Sequence, residues 1–588
     1  MLGDEIMMTN ELKDILLQVE RPARYVGGEF NLPDMQKPCD ERVCMCFSDK
    51  YEIGMSNIGI RILYHMLNDM DGVVCERCFA PDLDLAKLLK EHKMPLFSIE
   101  TKKDLKEFDI IGFSVQFELQ YTNLAYMFDL ANIPYYAKDR GEEFPLMVAG
   151  GPCSVNPMPY AGFFDAILIG DGEVNLKQLV ELHKELKPQH LTKEEFLKIA
   201  IDKVEGLYVP RFNNKAKRAI VKNLDEAYFP TKILVPNCQI VHDRSTIELF
   251  RGCANGCRFC QACFYYRPIR ERSVDTLVDY AKKIMDSTGY EELSLASLST
   301  SDYSGLKELV ERIKIEADKR KVKLAVPSLR LDSFEAEIYE ELNGASLTFA
   351  PEAGTQRLRN VINKNISEAN ITSAIEGAMK NNVKNVKLYF MIGLPTETDE
   401  DLDGIAHIAK EVLWLHKKSG TSKMLNVTVS TSVFIPKPLT PFQWEKQISL
   451  EEMDRRVKHL QEVLRLKNVR YNWHDAKTSY LEAAFARGDA RLMPVIIKAY
   501  EKGCVFDSWS ENFDFDKWME AFKECGISVD EYTGEIPEDK ELPWDVIDNG
   551  VTKAYLLKEK HLAYEGVTTP NCMGKCNGCG AAKLGRCF

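Results

Sequence analysis

The chain has 588 residues, 45% hydrophobic and 28% charged, which excludes a disordered chain and exceeds what one hydrophobic core can hold. A net charge of −13 excludes a surface given wholly to nucleic acid and leaves basic stretches such as 211–218 and 455–470 as solvated faces or local patches. The first ten residues lack the basic-then-apolar pattern of a secretory leader, and no apolar run approaches the roughly 20 residues of a membrane span, so the expectation is a cytoplasmic protein without a membrane partner.

Between residues 43 and 185, strands are expected at 43–48, 72–79, 109–116, 145–152 and 165–173, with helices at 57–69, 82–92 and 121–133. Their alternation implies a parallel sheet covered by helices on both faces, so 1–185 reads as one doubly wound, Rossmann-like α/β domain. Its glycines cluster just after strands, at 54–59, 150–151 and 170–172. Such sheets bind ligands at that edge, where backbone without a Cβ can approach closely. A charged, weakly periodic stretch at 186–240 reads as a connector with a small hairpin. Six further strands are expected at 246–252, 292–297, 323–328, 346–352, 385–393 and 425–434, each followed by a helical pattern. They suggest a curved (β/α)6 partial barrel over 241–470, with its chemistry on the strand-to-helix loops. Residues 471–588 are mostly helical and end in a cysteine-rich tail.

In a reducing compartment the 17 cysteines read as metal ligands or buried small hydrophobes rather than disulfides. The stretch RGCANGCRFCQAC at 251–263 sits on the first barrel loop and spaces Cys253, Cys257 and Cys260 as CxxxCxxC, with Cys263 three residues further. Soft thiolates at that spacing suit zinc or an iron–sulfur cluster, and spacing alone does not separate the two.

With Phe259, these cysteines match the CxxxC-aromatic-C motif of the radical S-adenosylmethionine (SAM) enzymes, and the chain resembles that family over about 225 residues. The resemblance implies that Cys253, Cys257 and Cys260 hold a 4Fe–4S cluster, whose fourth iron is chelated by SAM. Electron transfer then cleaves SAM to methionine and a 5′-deoxyadenosyl radical, the electron coming from a donor such as flavodoxin or ferredoxin. It further implies that Phe259 packs near the adenine and that Ser297, within 294–303, lies on the loop supporting the SAM amino group. Glu352 would face SAM, and Ile392, within MIGLPTET at 391–398, would lie in the adenine-contact segment. Cys263 then falls outside the triad, either as a small buried side chain or as a catalytic thiol near the substrate.

The front domain resembles that of the cobalamin-binding radical SAM subfamily in the segments 51–68, 112–123 and 150–173. This implies a cofactor role for Gly54, Ser56, Gly59, Gly150, Gly151 and Gly170. The DxHxxG motif, whose His ligates cobalt in many cobalamin proteins, is absent, and the nearest candidate, His65, falls within an expected helix. A rival resemblance, to the methylthiotransferases, would instead hold a second cluster in this domain on cysteines drawn from Cys44, Cys46, Cys75, Cys78 and Cys153.

In the tail, Cys572, Cys576 and Cys579 repeat the CxxxCxxC spacing and Cys587 adds a fourth thiol. Tetrahedral zinc and an auxiliary iron–sulfur cluster fit equally. His474, with Asp475 at the end of the barrel, is a candidate substrate contact, and Lys437 a candidate substrate gate. The leading expectation is therefore a radical SAM enzyme that methylates an unactivated carbon with cobalamin. The alternatives are a methylthiotransferase or other radical modification without cobalamin, and a non-catalytic metal scaffold that binds RNA or the ribosome. The substrate stays open among RNA, protein and small molecule.

Overall fold

The computed structural model describes residues 9–326, 346–380, 383–420 and 424–585. All five front strands form: β1 (Glu41–Phe47), β2 (Val73–Phe79), β3 (Ile110–Ser114), β4 (Leu146–Gly150) and β5 (Ala166–Leu168). They run parallel in the order β2-β1-β3-β4-β5, so the winding reverses between β1 and β3. That reversal is a topological switch point, the place where an open α/β sheet leaves a crevice above its carboxyl edge. Every residue of β2 is buried, as in a parallel strand covered on both faces. Its charged members are paired: Arg77 meets Glu29 at 2.9 Å and Glu100 at 2.6 Å.

The stretch expected to be a connector is more structured than its weak periodicity suggested. A helix, Lys193–Lys203, starts on a capping box between Thr192 and Glu195, a signal that was present in the sequence. After it β6 (Leu207–Tyr208) adds to the front sheet antiparallel to β5, and β7 (Ala216–Lys217) pairs with Ile547–Asp548 rather than closing a local hairpin.

The barrel strands β8 (Ser245–Glu248), β11 (Glu292–Ala296) and β12 (Lys323–Ala325) are parallel neighbours. Between β8 and β11 the short β9 (Phe250–Arg251) and β10 (Arg270–Glu271) pair antiparallel, so the strand expected over 246–252 breaks after Glu248. Residues 327–328 of the third expected strand lie outside the described residues. A second parallel set contains β13 (Ser346–Glu352), β14 (Asn385–Ile392), β15 (Asn426–Val433) and a seventh strand, β16 (Val469–Trp473), beyond the six expected.

The C-terminal helices are not a separate body. Ala476–Arg487, Leu492–Glu501 and Phe515–Glu524 pack on the front sheet, where Phe485, Ile496 and Trp518 share a core with Cys44, Cys46, Phe113 and Met147. The junction is also polar: Thr122 Oγ1 donates to Asp507 Oδ2 at 2.6 Å, and the Phe506 N–H donates to Asn123 Oδ1 at 2.8 Å. No helix among the described residues is long and apolar enough to cross a membrane.

Candidate functional site

The loop after β9 is fixed from several sides before any ligand is considered. Gly252 has φ +93°, and a Cβ there would lie 2.8 Å from the Tyr266 carbonyl oxygen, so only glycine lets the loop close. Arg258 is fully buried; its backbone N–H donates to Ile362 O at 3.0 Å and its guanidinium to Glu559 Oε2 at 3.1 Å. Asn255 bridges by donating to Asp302 Oδ2 at 2.7 Å and towards Cys253 Sγ at 3.7 Å.

On this scaffold Cys253 and Cys257 are buried and Cys260 is half-buried. Cys263, also buried, faces all three of their sulfurs, and those contacts push its thiol well above the usual range. It shares an apolar cluster with Phe264, Leu439 and Trp544 and with Cys253 and Cys257 themselves, so it is packed among the triad's thiols. The three soft donors of the triad suit iron–sulfur chemistry. Among the described residues, Cys572, Cys576 and Cys579 of the tail included, no three His, Cys, Asp or Glu side chains already converge on one point as ligands of a single ion would, so any such site closes up as it takes its metal.

Phe259 packs on a cluster containing Met391, Leu394, Phe434 and Phe442, so the aromatic and the 391–398 segment do come together. Ile392 itself is turned away, into the layer between the strands and their covering helices, because side chains alternate along a strand. Glu352 ends β13 with φ +68°, a left-handed conformation uncommon outside glycine, and accepts a hydrogen bond from Lys364 Nζ at 3.1 Å. Ser297, just past β11, exchanges a hydrogen bond with Thr300 at 3.0 Å.

Above the switch point lies a cavity of about 460 Å³ between the front sheet and the barrel. Met45 of β1, Gly112 to Ser114 of β3 and the turns at Gly150–Gly151 and Gly170 form one wall; Phe250, Arg251 and Ser297 belong to the opposite wall. Most of the lining is apolar, and the glycines leave backbone bare at its rim. Gly151 (φ +99°) and Gly170 (φ +114°) could not accept a side chain, since a Cβ at Gly170 would meet Ala219 O at 2.1 Å.

The two walls are locked by a junction that sequence reasoning missed. Asp171 receives Arg270 Nη1 at 2.6 Å and the Val221 N–H at 2.8 Å, with Arg251 at 3.5 Å. Burial opposes its ionisation, but Arg251, Arg270 and Arg218 around it bring the carboxyl down to about 2. Arg251 also meets Glu173 at 2.5 Å and Glu248 at 2.8 Å. Arg218, the last residue of the basic stretch 211–218, is buried at 2% exposure and donates to the carbonyls of Tyr265 and Arg267. The sequence signal was the pair of acids in Gly-Asp-Gly-Glu, which invited attention only to its glycines.

Several other expected residues are not at the cavity. Gly54 is a packing glycine, its Cβ position 2.2 Å from the Phe79 ring, and Ser56 Oγ donates to Glu52 O at 2.7 Å within its own helical turn. Gly59 does line the cavity, while His65 does not; burial holds its imidazole down at about 3, with Nε2 unpartnered. His474 is exposed and makes no pair with Asp475, whose carboxylate caps the helix Ala476–Arg487 by accepting from the Thr478 N–H at 2.8 Å. Lys437 is no free gate: its Nζ lies 2.6 Å from Glu118 of the front domain and 2.8 Å from Glu482 of the C-terminal helices.

The front-domain cysteines are core. Cys44, Cys46, Cys75 and Cys78 have no exposure, and burial pushes the Cys44 thiol up to about 12. Cys44, Cys46, Cys78 and Cys153 pack into the core on one side of the sheet and Cys75 into the core on the other, so the five do not form one group. In the tail, Cys579 is buried, Cys572 half-buried and Cys576 exposed, whereas Cys587 lies outside the described residues.

A model for the N-terminal region of radical SAM proteins matches residues 59–210, and the radical SAM superfamily model matches residues 247–409. An uncharacterized protein of Methanocaldococcus jannaschii is 26% identical over 503 residues, covering 83% of this chain and 98% of its own. Two shorter similarities cover less than half of the relative. The tRNA-2-methylthio-N(6)-dimethylallyladenosine synthase of a Hydrogenobaculum species is 26% identical over 31% of this chain and 45% of its own. The cytidylyl-2-hydroxyethylphosphonate methyltransferase of Streptomyces wedmorensis is 28% identical over 29% of this chain and 32% of its own. Among solved structures, the radical SAM methyltransferase TsrM of Kitasatospora setae, with cobalamin and a [4Fe-4S] cluster bound, aligns at 12% identity and a TM-score of 0.47, over 66% of this chain and 75% of that one. The two family models cover the two sides of the junction, Asp171 in the first and Arg251 and Arg270 in the second, and together span more than half of the chain: it belongs to the radical SAM superfamily and is an enzyme of that chemistry.

Proposed function

We propose that the protein is a radical SAM methyltransferase that acts on an unactivated carbon and seats cobalamin in the cavity above the front sheet. With cluster and SAM bound, the site supplies reductive cleavage of SAM to a 5′-deoxyadenosyl radical, and bound cobalamin supplies a methyl group. Cys253, Cys257 and Cys260 hold the cluster, the buried Arg258 clamp fixes their loop, and Phe259 packs beside the adenine segment. Glu352 and Ser297 would orient SAM, as the family resemblance implies. An external one-electron donor of the flavodoxin or ferredoxin kind serves the cluster.

The observation that carries the cobalamin reading is the cavity itself. It is apolar, glycine-rimmed and at the switch point, and Ser297 of the SAM-facing loop is part of its wall. Bare backbone at Gly150, Gly151 and Gly170 suits the amide-rich edge of a corrin, and the mostly apolar lining suits the body of the ring. None of the cavity-lining residues is His or Cys, so the protein offers cobalt no lower-face imidazole or thiolate there. The reading extends to a second thiolate-held metal at Cys572, Cys576 and Cys579.

The test is corrinoid content. Protein purified anaerobically from cobalamin-fed cells should carry about one corrinoid per chain and, with a reductant, convert SAM to 5′-deoxyadenosine and methionine. Radical products without bound corrinoid would refute the cobalamin reading and leave a radical modification that does not use it.

A further inference from the structure

The tail cysteines do not hang free. They share a cavity of about 130 Å³ with Cys253 of the triad and with Arg267. The Cys572 N–H donates to Ala254 O at 3.0 Å, which seats the tail directly on the first cluster's loop. Two of the tail sulfurs already accept N–H donors: Asn577 Nδ2 approaches Cys572 Sγ at 3.6 Å, and the Gly578 N–H approaches Cys576 Sγ at 3.4 Å. N–H groups aimed at sulfur are the outer contacts that orient thiolate ligands and lower the cost of their charge.

Arg267 is the second, independent observation. It is only 3% exposed, stacked on the Phe264 ring at 5.0 Å and beside the Tyr555 ring at 5.9 Å. One nitrogen, Nη2, reaches Asn255 O at 3.3 Å, but Nε and Nη1 have no hydrogen-bond partner. A buried guanidinium with two idle donors is costly unless an anion faces it. The free tail thiols supply none, whereas thiolates gathered on a metal do.

We infer that this cavity is a second metal site, in which Cys572, Cys576 and Cys579 hold an anionic thiolate centre whose charge is met by Arg267, against the loop that carries the triad. The inference rests on the metal reading of the tail and adds its counter-charge and its seat. The ligand class is thiophilic, either a zinc ion or an iron–sulfur cluster, and each ligating thiol releases its proton as the centre forms.

Metal and acid-labile sulfide are measured on full-length protein purified anaerobically. Beyond the first cluster, the expected increment is one zinc per chain, or about four further iron atoms with matching sulfide; the stoichiometry separates the two. The Cys572→Ala/Cys576→Ala pair should lose that increment and keep the remaining iron. Arg267→Gln should lose its tail metal to a chelator at least tenfold faster than the parent, with Arg267→Lys intermediate. No increment in the parent protein, or an increment indifferent to the cysteine pair, overturns the site; an Arg267→Gln rate equal to the parent's overturns the counter-charge. If the pair fails to fold, alkylation of the parent decides: Cys572, Cys576 and Cys579 should be protected until chelator is added, and full-rate alkylation overturns the inference. Loss of 5′-deoxyadenosine formation with the increment intact would count against the proposed function alone.

Discussion

Replacing Lys437 by Met tests the polar joint between front domain, barrel and C-terminal helices. Its Nζ lies 2.6 Å from Glu118 Oε1 and 2.8 Å from Glu482 Oε1, with all three side chains at most 20% exposed. At an effective dielectric of about 20, one such contact is worth roughly 6 kcal/mol in gross Coulomb energy. Most of that offsets desolvation, and removing one partner of a buried set typically costs about 3–5 kcal/mol because a charge is left stranded. Here two carboxylates are stranded. Glu482 already sits above the usual carboxylate range, through burial and the nearness of Glu118, with Lys437 opposing the shift. Without Lys437 the Glu482 carboxyl should rise further in the folded state. A carboxyl raised on folding binds more protons folded than unfolded, so its stabilising effect is lost as pH rises through the folded value. Lys437→Met should therefore cost about 3–5 kcal/mol at pH 7.5 and clearly less at pH 5.5, recovering up to about 1.4 kcal/mol per pH unit as Glu482 is protonated. Lys437→Met/Glu118→Gln should be more stable than the single variant. Urea unfolding followed by circular dichroism at the two pH values gives the comparison. A penalty under about 1 kcal/mol, or one equal at both values, would refute the reasoning.

Three further outcomes are expected. In reconstituted protein, Cys260→Ala should lose the first cluster's iron while Cys263→Ala keeps it; equal iron loss in both would overturn the triad assignment. Gly150 and Gly170 separate binding from folding: a Cβ at Gly150 meets only ordinary contacts, the nearest at 3.6 Å, so Gly150→Ala should weaken corrinoid binding with little stability loss. Gly170→Ala, at φ +114°, should cost about 2–3 kcal/mol, and thermal melts that rank the two the other way would contradict the geometry. His65 is held at about 3 by burial, with Arg77 and Arg61 adding to it, so the protein should lose about 2 kcal/mol between pH 7 and 5, as the unfolded imidazole, near 6.5, takes up a proton that the folded one refuses. His65→Leu should flatten that slope in urea titrations, and parallel slopes would rule the effect out.

The parallel strands were readable because each is a short apolar run next to a helix with regular spacing, and the triad because its ligands lie within eight residues of one another. What stayed hidden depends on partners far apart in the chain. The acid of Gly170-Asp171-Gly172 reads as a turn residue until Arg218, Arg251 and Arg270 are folded around it. The front domain's second face is covered by residues near 485–522, which no local pattern could assign to it. Ile392 and Gly54 erred for a different reason: a motif names a segment, but the alternation of a strand and the crowding of a ring decide which side chain faces the ligand.

The Arg258–Glu559 clamp spans 301 residues of sequence, and the hydrogen bond from Cys572 to Ala254 is longer still. The triad's loop thus emerges from the ribosome without its outer wall. At about 5–20 residues per second, roughly 15–60 s pass before Glu559 has been made. Through that interval the loop lacks the contacts that hold its shape, with its thiols open to oxidation or to the wrong metal. Iron–sulfur insertion therefore belongs after the tail has docked, and a chain truncated before Glu559 should emerge as a soft thiol trap rather than an enzyme. The order in which the chain is made becomes an order of maturation, with a segment made 301 residues after the loop acting as the gatekeeper for the first cofactor.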